Sequence, residues 1–349
     1  MSAHSVTLRR GGVSLRLDRR AVAVGTAALA LVLAVFVLNL SRGEFPIAPG
    51  SVLAALVGAG DEADRFIVID LRLPRALVAI LAGAAFGVAG AIFQDIARNP
   101  LASPDVIGIS MGASLAAVSV IILTDTSSSL AVPGAALAGA LVAGAVLYGL
   151  SWRGGVHGYR LVLVGIGLTA LLQAGVNYVL TRGRIFDVAE AYTWLVGSLN
   201  GVGWQQVWPL VAALGVLLPA ALLLGRQLEV LQLGDEVARA LGVGVERSRL
   251  ALLAVAIVLV GMAVAACGAV AFVAFVAPHV ARRLTRSVSP AAVLPVAACC
   301  GALLVSGADV AGRLAFSPTE IPVGILTAII AAPYFLILLR RANRIGATG

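Results

Sequence analysis

Long apolar runs recur along the whole chain, and they constrain its fold more than any other feature. Hydrophobic residues fill 60% of the 349 positions and charged residues only 12%. A soluble domain of this length has too little interior to bury so much apolar surface. A lipid bilayer accommodates it, so the sequence predicts an all-α integral membrane protein that crosses the membrane several times.

Ten runs are candidates for membrane spans. The first, residues 21–40, is about 30 Å long as a helix and lacks a clear cleavage site, so we interpret it as a membrane anchor and not as a signal peptide. A shorter run, residues 269–280, contains Pro278, which we expect to break it. The other spans are expected at residues 74–94, 104–123, 130–150, 159–180, 204–224, 248–266, 290–310 and 321–339.

The arginines predict how these spans are oriented. All 25 basic residues are Arg. With ten spans and both termini in the cytoplasm, eighteen arginines lie inside and seven outside, as the positive-inside rule requires. We therefore expect a cytoplasmic segment at 1–20, one transmembrane domain at 21–340 and a cytoplasmic tail at 341–349. The seven outer arginines would be Arg42, Arg65, Arg72, Arg75, Arg182, Arg184 and Arg313.

The composition also argues against several functions. A P-loop needs a Lys to reach the nucleotide phosphates, and the chain contains none, so no ATPase activity and no catalytic residue is expected. The three cysteines lack metal-ligand spacing, and His279 has no second ligand nearby, so no metal site is expected. The net charge of +8 is scattered between apolar runs, which fits loops at a lipid surface better than nucleic-acid binding.

Polar residues concentrate in a few segments between the spans. Residues 70–75 place Arg72 and Arg75 three apart at the outer mouth of the second span, where they can share one side of that mouth or simply anchor at the interface. Residues 98–105, here called the inner turn, combine two prolines with Asn and Ser in a tight cytoplasmic connection. A stiff turn of this kind can be a plain connector or can close a pore from inside.

A longer cytoplasmic stretch, residues 228–249, is too amphipathic to span the membrane. Its apolar residues fall at helical spacing while Asp235, Glu236 and Arg239 take other faces. The pattern predicts a short helix that docks on a soluble partner, or one that rests on the bilayer. Near the end of the ninth span, Arg313 follows Asp309 by four residues, so the two could form an ion pair.

A proton-coupled secondary transporter is the rival from another class. Such a carrier is expected to hold titratable groups inside its spans. Here Asp95 and Asp125 sit at segment ends, which counts against it.

The chain resembles the FecCD family, the permeases of ATP-binding cassette (ABC) importers for ferric siderophores, haem and vitamin B12. The likeness extends from about residue 43 to 341 and depends on motifs that occur in order. They are RLPR (72–75), AGAIFQ (89–94), RNPLASPDVIGISMGA (98–113), LGDEVARALGV (233–243), FVAPHVARR (275–283) and IPVGILTAIIAAPYF (321–335). Within the family, GSLNG (197–201), SPDVIG (103–108) and LGVGVERSRL (241–250) look most like a ferric-enterobactin permease subunit, with haem or cobalamin as the alternative cargo.

The resemblance implies a fold and a set of roles. The fold would be that of the vitamin B12 importer, with ten helices and a cytoplasmic coupling-helix insert. By position, Arg72, Arg75 and Arg313 match arginines that receive a binding protein, and Asn99 and Leu101 match the cytoplasmic gate. A second gate segment does not carry over, because the chain reads His157-Gly158-Tyr159 there. Contacts with the ATPase would come from Gly234, Asp235, Glu236, Ala238, Arg239, Leu241, Gly242, Val243 and Gly244.

The same resemblance implies an assembly. The partners would be an ATP-binding subunit, a second permease subunit (identical or paralogous), an extracytoplasmic binding protein and membrane lipid. ATP and Mg would bind the partner subunit, so this chain itself would hold no cofactor, and a ferric siderophore would be its cargo. The location would be the cell membrane.

Overall fold

The computed structural model describes residues 5–10, 13–43, 45–124, 128–153, 155–156, 158–315 and 320–346. Within this part the chain is almost entirely helical. The helices are α1 (Arg19–Ser41), α2 (Pro49–Leu56), α3 (Glu62–Phe66), α4 (Leu73–Ala97), α5 (Ile109–Leu123), α6 (Ala131–Ser151), α7 (Gly158–Leu180), α8 (Ile185–Val196), α9 (Trp204–Leu223), α10 (Gly225–Gln232), α11 (Asp235–Ala240), α12 (Val245–Cys267), α13 (Val273–Thr285), α14 (Pro290–Ala315) and α15 (Val323–Gly346).

The ten predicted spans correspond to α1, α4, α5, α6, α7, α9, α12, α13, α14 and α15. In the described part of the chain, seven helices are long and apolar enough to cross a membrane by themselves, and α5 and α15 contribute shorter apolar stretches. The all-α membrane fold is therefore confirmed. We call the end that carries Arg98 and Arg282 the cytoplasmic side, following the orientation predicted from the arginines.

Three boundaries differ from the prediction. The second span is longer, because α3 runs through a π-helical turn, Ile67–Arg72, into α4. The third begins only at Ile109, because the inner turn takes up the residues before it. Pro278 lies inside α13 and does not end it, contrary to expectation, although α13 has only 13 residues.

The N-terminal segment also contains structure that the sequence did not suggest. Two short strands, β1 (Ser5–Arg10) and β2 (Val13–Asp18), pair antiparallel with Ser5 opposite Asp18. They precede α1 directly, so the segment is a hairpin in front of the first span. The division into 1–20, 21–340 and 341–349 stays a prediction.

Helix α4 lies at the centre of the bundle. Its second half is buried throughout, and α12, α13 and α14 pack around it. A methyl group added at Gly83 or Gly87 would collide with the carbonyl oxygen of Gly301 or Ala297 on α14. Small residues at a crossing let helix backbones approach closely in lipid, so these glycines fix the α4–α14 pair.

Candidate functional site

The segment expected to couple to an ATPase, residues 234–244 and here called the coupling segment, forms α11 with a glycine turn at each end. Gly234 and Gly242 have φ of 115° and 78°, a region that side chains disfavour, and no atom lies within 4 Å of the position a Cβ would take at either one. Glycine is thus needed there for the backbone conformation and not for packing. Ala238 is the buried residue by which α11 rests on the bundle.

Apolar side chains on the coupling segment and beside it point away from the bundle. Leu233, Val237 and Leu241 are 62%, 44% and 60% exposed; Val237 lies on α11, Leu241 directly follows it, and Leu233 precedes it across the turn at Gly234. The sequence predicted a helix with such a face, and the structure confirms the helix. Large apolar residues that are grouped and open to the cytoplasm mark an interaction surface better than scattered ones.

Beneath this apolar face lies an ionic network, the inner charge cluster of Arg98, Asp235, Glu246 and Arg249. Asp235 Oδ1 accepts from Arg98 Nη2 at 2.6 Å and from Arg249 Nη2 at 2.9 Å. Arg249 also pairs with Glu246 at 3.1 Å. Burial alone would raise the pKa of Asp235, but the hydrogen bonds and charges of Arg249 and Arg98 outweigh it and lower the pKa, so Asp235 is ionised at neutral pH.

The inner turn begins at the same cluster. Helix α4 ends at Arg98, whose φ of 48° is left-handed and turns the chain away from the helix. Its guanidinium donates to the carbonyl oxygen of Leu231 as well as to Asp235. Asn99 then accepts a hydrogen bond from the Leu101 amide at 2.9 Å, and Leu101 is exposed. The expected gate residues therefore follow closely after Arg98, which contacts the coupling segment.

A second set of polar contacts holds the end of α4 to α13. Arg282 donates to Gln94 at 2.5 Å and to Asp95 at 2.7 Å. Gln94 in turn donates to the carbonyl oxygen of Phe275 at 3.1 Å. His279 lies on the same helix, with its ring against Tyr334. These residues explain the FVAPHVARR motif as a brace between two helices.

The expected second gate segment is only partly described. His157 lies outside the described residues, Gly158 packs closely on Ala97 of α4, and Tyr159 is 82% exposed. A cleft of about 400 Å³ separates this segment from α11. Asp125, weighed above as a titratable group, is also outside the described residues.

The three outer arginines expected to dock a binding protein are engaged within the chain. Arg72 is buried and donates to the carbonyl oxygens of Leu40 at 2.7 Å and Phe45 at 2.5 Å. Arg75 pairs with Asp309 at 2.9 Å and with Glu320 at 3.0 Å. The expected approach of Arg313 to Asp309 is present at 3.5 Å. We call Arg75, Asp309, Arg313 and Glu320 the outer charge cluster.

Sequence reasoning missed part of the inner charge cluster. Arg98 and Arg249 were read only as arginines that set topology, and Glu246 was not singled out. One signal was present, since Glu246 and Arg249 stand three residues apart at the start of an apolar helix. Among the described residues no group of His, Cys, Asp or Glu is arranged to hold a metal ion. That the chain binds no cofactor stays a prediction.

Comparisons with known proteins agree with this architecture. Residues 31–341 match the model of the FecCD transport family. The chain is 42% identical to the achromobactin transport system permease protein CbrC of Dickeya dadantii (strain 3937), over 96% of each chain. It is 39% identical to the ferric enterobactin transport system permease protein FepG of Escherichia coli (strain K12), over 88% of this chain and 92% of the relative.

Other relatives are named for other iron chelates. The chain is 39% identical to the iron(3+)-hydroxamate import system permease protein FhuG of Bacillus subtilis (strain 168), over 90% of this chain and 95% of the relative. A solved structure of a metal-chelate type ABC transporter in an inward-facing conformation has the same fold. It aligns with a TM-score of 0.80 at 24% identity, over 92% of this chain and 99% of that one.

Proposed function

The chain belongs to the FecCD transport family and is a permease subunit of an ABC importer for iron chelates, and we propose that its cargo is a catecholate ferric siderophore of the enterobactin class. ATP hydrolysis belongs to a separate subunit of such importers. Because the chain belongs to this family, we no longer propose the proton-coupled secondary transporter considered above. The chain crosses the membrane several times, and we place it in the cell membrane with both termini in the cytoplasm.

The observation that carries the coupling part of the proposal is the exposed apolar face of Leu233, Val237 and Leu241. It lies on and beside a short helix outside the spans, and ion pairs fix that helix to the bundle. A groove in an ATP-binding subunit is the partner that fits an apolar helical face at this end of the molecule. The residues assigned above to coupling therefore keep that role in the proposal, from Gly234 to Gly244.

Our proposal of a catecholate cargo is based on short sequence motifs. GSLNG, SPDVIG and LGVGVERSRL favour the catecholate class, whereas relatives of similar identity are named for achromobactin, hydroxamate and citrate systems. Haem and cobalamin are the alternatives within the family. Asn99 and Leu101 are proposed as gate residues and Arg72, Arg75 and Arg313 as docking residues. A second permease subunit and a binding protein complete the proposed importer.

The test is reconstitution of the complex in liposomes. The chain would be co-purified with its ATP-binding subunit, second permease and binding protein, and uptake of ⁵⁵Fe would be measured for catecholate, hydroxamate and citrate chelates and for haem. We expect ATP-dependent uptake that is fastest with the catecholate chelate. Fastest uptake of another chelate would overturn the cargo, and ATP-independent uptake would overturn the mechanism. The purified chain alone should hydrolyse no ATP.

A further inference from the structure

The inner charge cluster connects four separate segments at one point. Arg98 ends α4, Asp235 begins α11, and Glu246 and Arg249 lie in the first turns of α12. The Val156 amide donates to the other carboxylate oxygen of Glu246 at 3.4 Å, which adds the segment before α7. Two spans, the coupling segment and a cytoplasmic loop therefore share one set of charges.

Asp235 is the centre of this arrangement. Its Oδ1 atom accepts from both Arg98 and Arg249, so one oxygen joins α4 to α12 through the first residue of α11. Arg98 also donates to the carbonyl oxygen of Leu231 from Nε at 3.2 Å and from Nη2 at 2.7 Å. Its guanidinium therefore holds the end of α10 and the start of α11 at once.

The connection is stiff. The Arg249 side chain is only 3% exposed, and separating it from Asp235 would leave its buried charge with Glu246 as its one remaining partner in this cluster. Arg98 is the first residue of the inner turn, one position from Asn99 and three from Leu101. A shift of α11 that keeps these hydrogen bonds must pull on the inner turn, because Arg98 is bonded to α11 and is itself part of that turn.

We propose that Asp235 is a positioning residue that transmits movement of the coupling segment to the gate, through Arg98 to the inner turn and through Arg249 to α12. The inference rests on the proposed function and adds to it the physical link between the ATPase contact and the gate. That link is an ion pair inside this chain. Leu233, Val237 and Leu241 contact the partner, while Asp235 passes the motion inward.

The experiment compares import with ATP hydrolysis in the reconstituted complex. The variants are Arg98→Gln, Asp235→Asn and the two combined, and the quantity measured is iron chelate imported per ATP hydrolysed. We expect import per ATP to fall about 5-fold or more in each single variant, the lower end of coupling between sites, and Arg98→Gln, which lies outside the coupling segment, to keep its ATP-binding subunit and its ATPase activity. Because either substitution already breaks the Arg98–Asp235 link, the double variant should lose no more than the worse single variant.

Two further variants make the result specific. Arg226→Gln removes an exposed arginine of α10 that lies outside the coupling segment, and it should leave import per ATP unchanged. Arg98→Lys keeps a charge for Asp235 but loses the forked geometry that also reaches Leu231, so its import per ATP should be intermediate. If Arg98 had only a structural role, import per ATP would not fall stepwise from the unmodified complex to Arg98→Lys to Arg98→Gln while ATPase activity stayed constant.

Several outcomes would overturn the inference. They are an unchanged import per ATP in Arg98→Gln, losses that add in the double variant, and loss of the ATP-binding subunit from the purified Arg98→Gln complex. The last result would mean that the cluster only supports docking. If the unmodified complex shows no ATP-driven import of any iron chelate, the proposed function fails first, and that result is separate from any difference between variants.

Discussion

The inner and outer charge clusters are both built from Arg, Asp and Glu side chains, but they connect different kinds of helix. The outer cluster joins α4 to α14 and to Glu320, just ahead of α15, so it ties spans to one another. The inner cluster ties two spans to α11, which does not span. Ion pairs of similar length therefore fasten the spans to one another at one end and connect them to the short helix α11 at the other. The packing of the helices around a cluster determines whether it fastens spans together or connects them to α11.

The glycine contacts between α4 and α14 make the outer cluster a fixed one. Gly83 and Gly301 bring the two backbones into direct contact, and Arg75 and Asp309 lie further out along the same two helices. No comparable glycine contact joins α11 to the bundle; within the described residues both glycines of the coupling segment that have positive φ face open space. The comparison predicts that damage near the outer cluster lowers stability, whereas damage at the inner one lowers coupling.

The largest effect is expected from Gly301→Val. The added side chain would collide with the Gly83 backbone, which cannot move aside as a side chain can, so we expect a loss of about 3 kcal/mol or more in stability. Gly307→Val on the same helix is the matched control, because no atom lies within 4 Å of its Cβ position. Thermal unfolding in detergent would measure both. Equal melting temperatures for the two variants would show that the contact does not hold the bundle.

Asp309→Asn tests the outer cluster itself. Its side chain is 2% exposed and lies between Arg75 and Arg313, so neutralising it leaves two arginines close together. We expect a loss of about 3 kcal/mol, near the lower end for a buried pair that loses one partner, because Arg75 keeps Glu320. Import per ATP should not change, in contrast to Asp235→Asn.

Glu190→Gln is the control for that variant. It removes the same charge from an exposed position on α8 and should change stability by no more than about 0.5 kcal/mol. If Asp309→Asn lowered import per ATP while its melting temperature stayed normal, the two clusters would not differ in the way described above.

Gly242→Leu probes the cytoplasmic end more gently. The position has a positive φ and open space around it, so the variant strains one turn and places a bulky side chain on the face proposed to meet the ATP-binding subunit. We expect import per ATP to fall about 5-fold while binding-protein affinity stays the same. Gly201→Leu has a similar φ of 71° and equally open space, but it is expected on the opposite side of the membrane. It should leave import per ATP unchanged, and equal losses in both would refute the assignment.

The spans could be predicted from the sequence because hydropathy and arginine placement act locally. The same local signals predicted the helix at Asp235–Ala240 and the approach of Arg313 to Asp309, which are four residues apart. Local signals failed at α13, since packing against α4 and α14 supports a helix that continues past Pro278.

Long-range ion pairs could not be predicted at all. Arg75 pairs with Asp309 across 234 positions and Arg98 with Asp235 across 137. Nothing in the sequence says which arginine a carboxylate will meet, because any of the outer or inner arginines satisfies the topology equally well. Three-dimensional packing decides it, which is why Arg98 and Arg249 looked like topology signals only.

The smallest effect concerns docking of the binding protein at the outer end. Arg72 and Arg313 make internal hydrogen bonds, to Leu40 and Asn39 among others, so any substitution also removes those. Comparing Arg72→Gln with Arg313→Gln against Arg72→Glu with Arg313→Glu separates the two effects, because both double variants lose the internal bonds and only the second reverses the charge. The melting temperature of each double variant reports any repulsion between Asp309 and the glutamate introduced by Arg313→Glu inside the fold. An exposed ion pair with the binding protein would contribute about 0.2–1 kcal/mol, so the double variant Arg72→Gln with Arg313→Gln should weaken binding only slightly.

The reversed pair should weaken binding more, and the gap between the two double variants should widen at low ionic strength, where charges are screened less. Binding-protein affinity for the reconstituted complex, measured at low and high salt, gives both quantities. Arg65→Glu with Arg182→Glu is the control, since these arginines are exposed on the same side but are not assigned to docking. If the Gln and Glu variants bind equally at both salt concentrations, the outer arginines serve the fold alone, and the outer end is then a static anchor without a docking role.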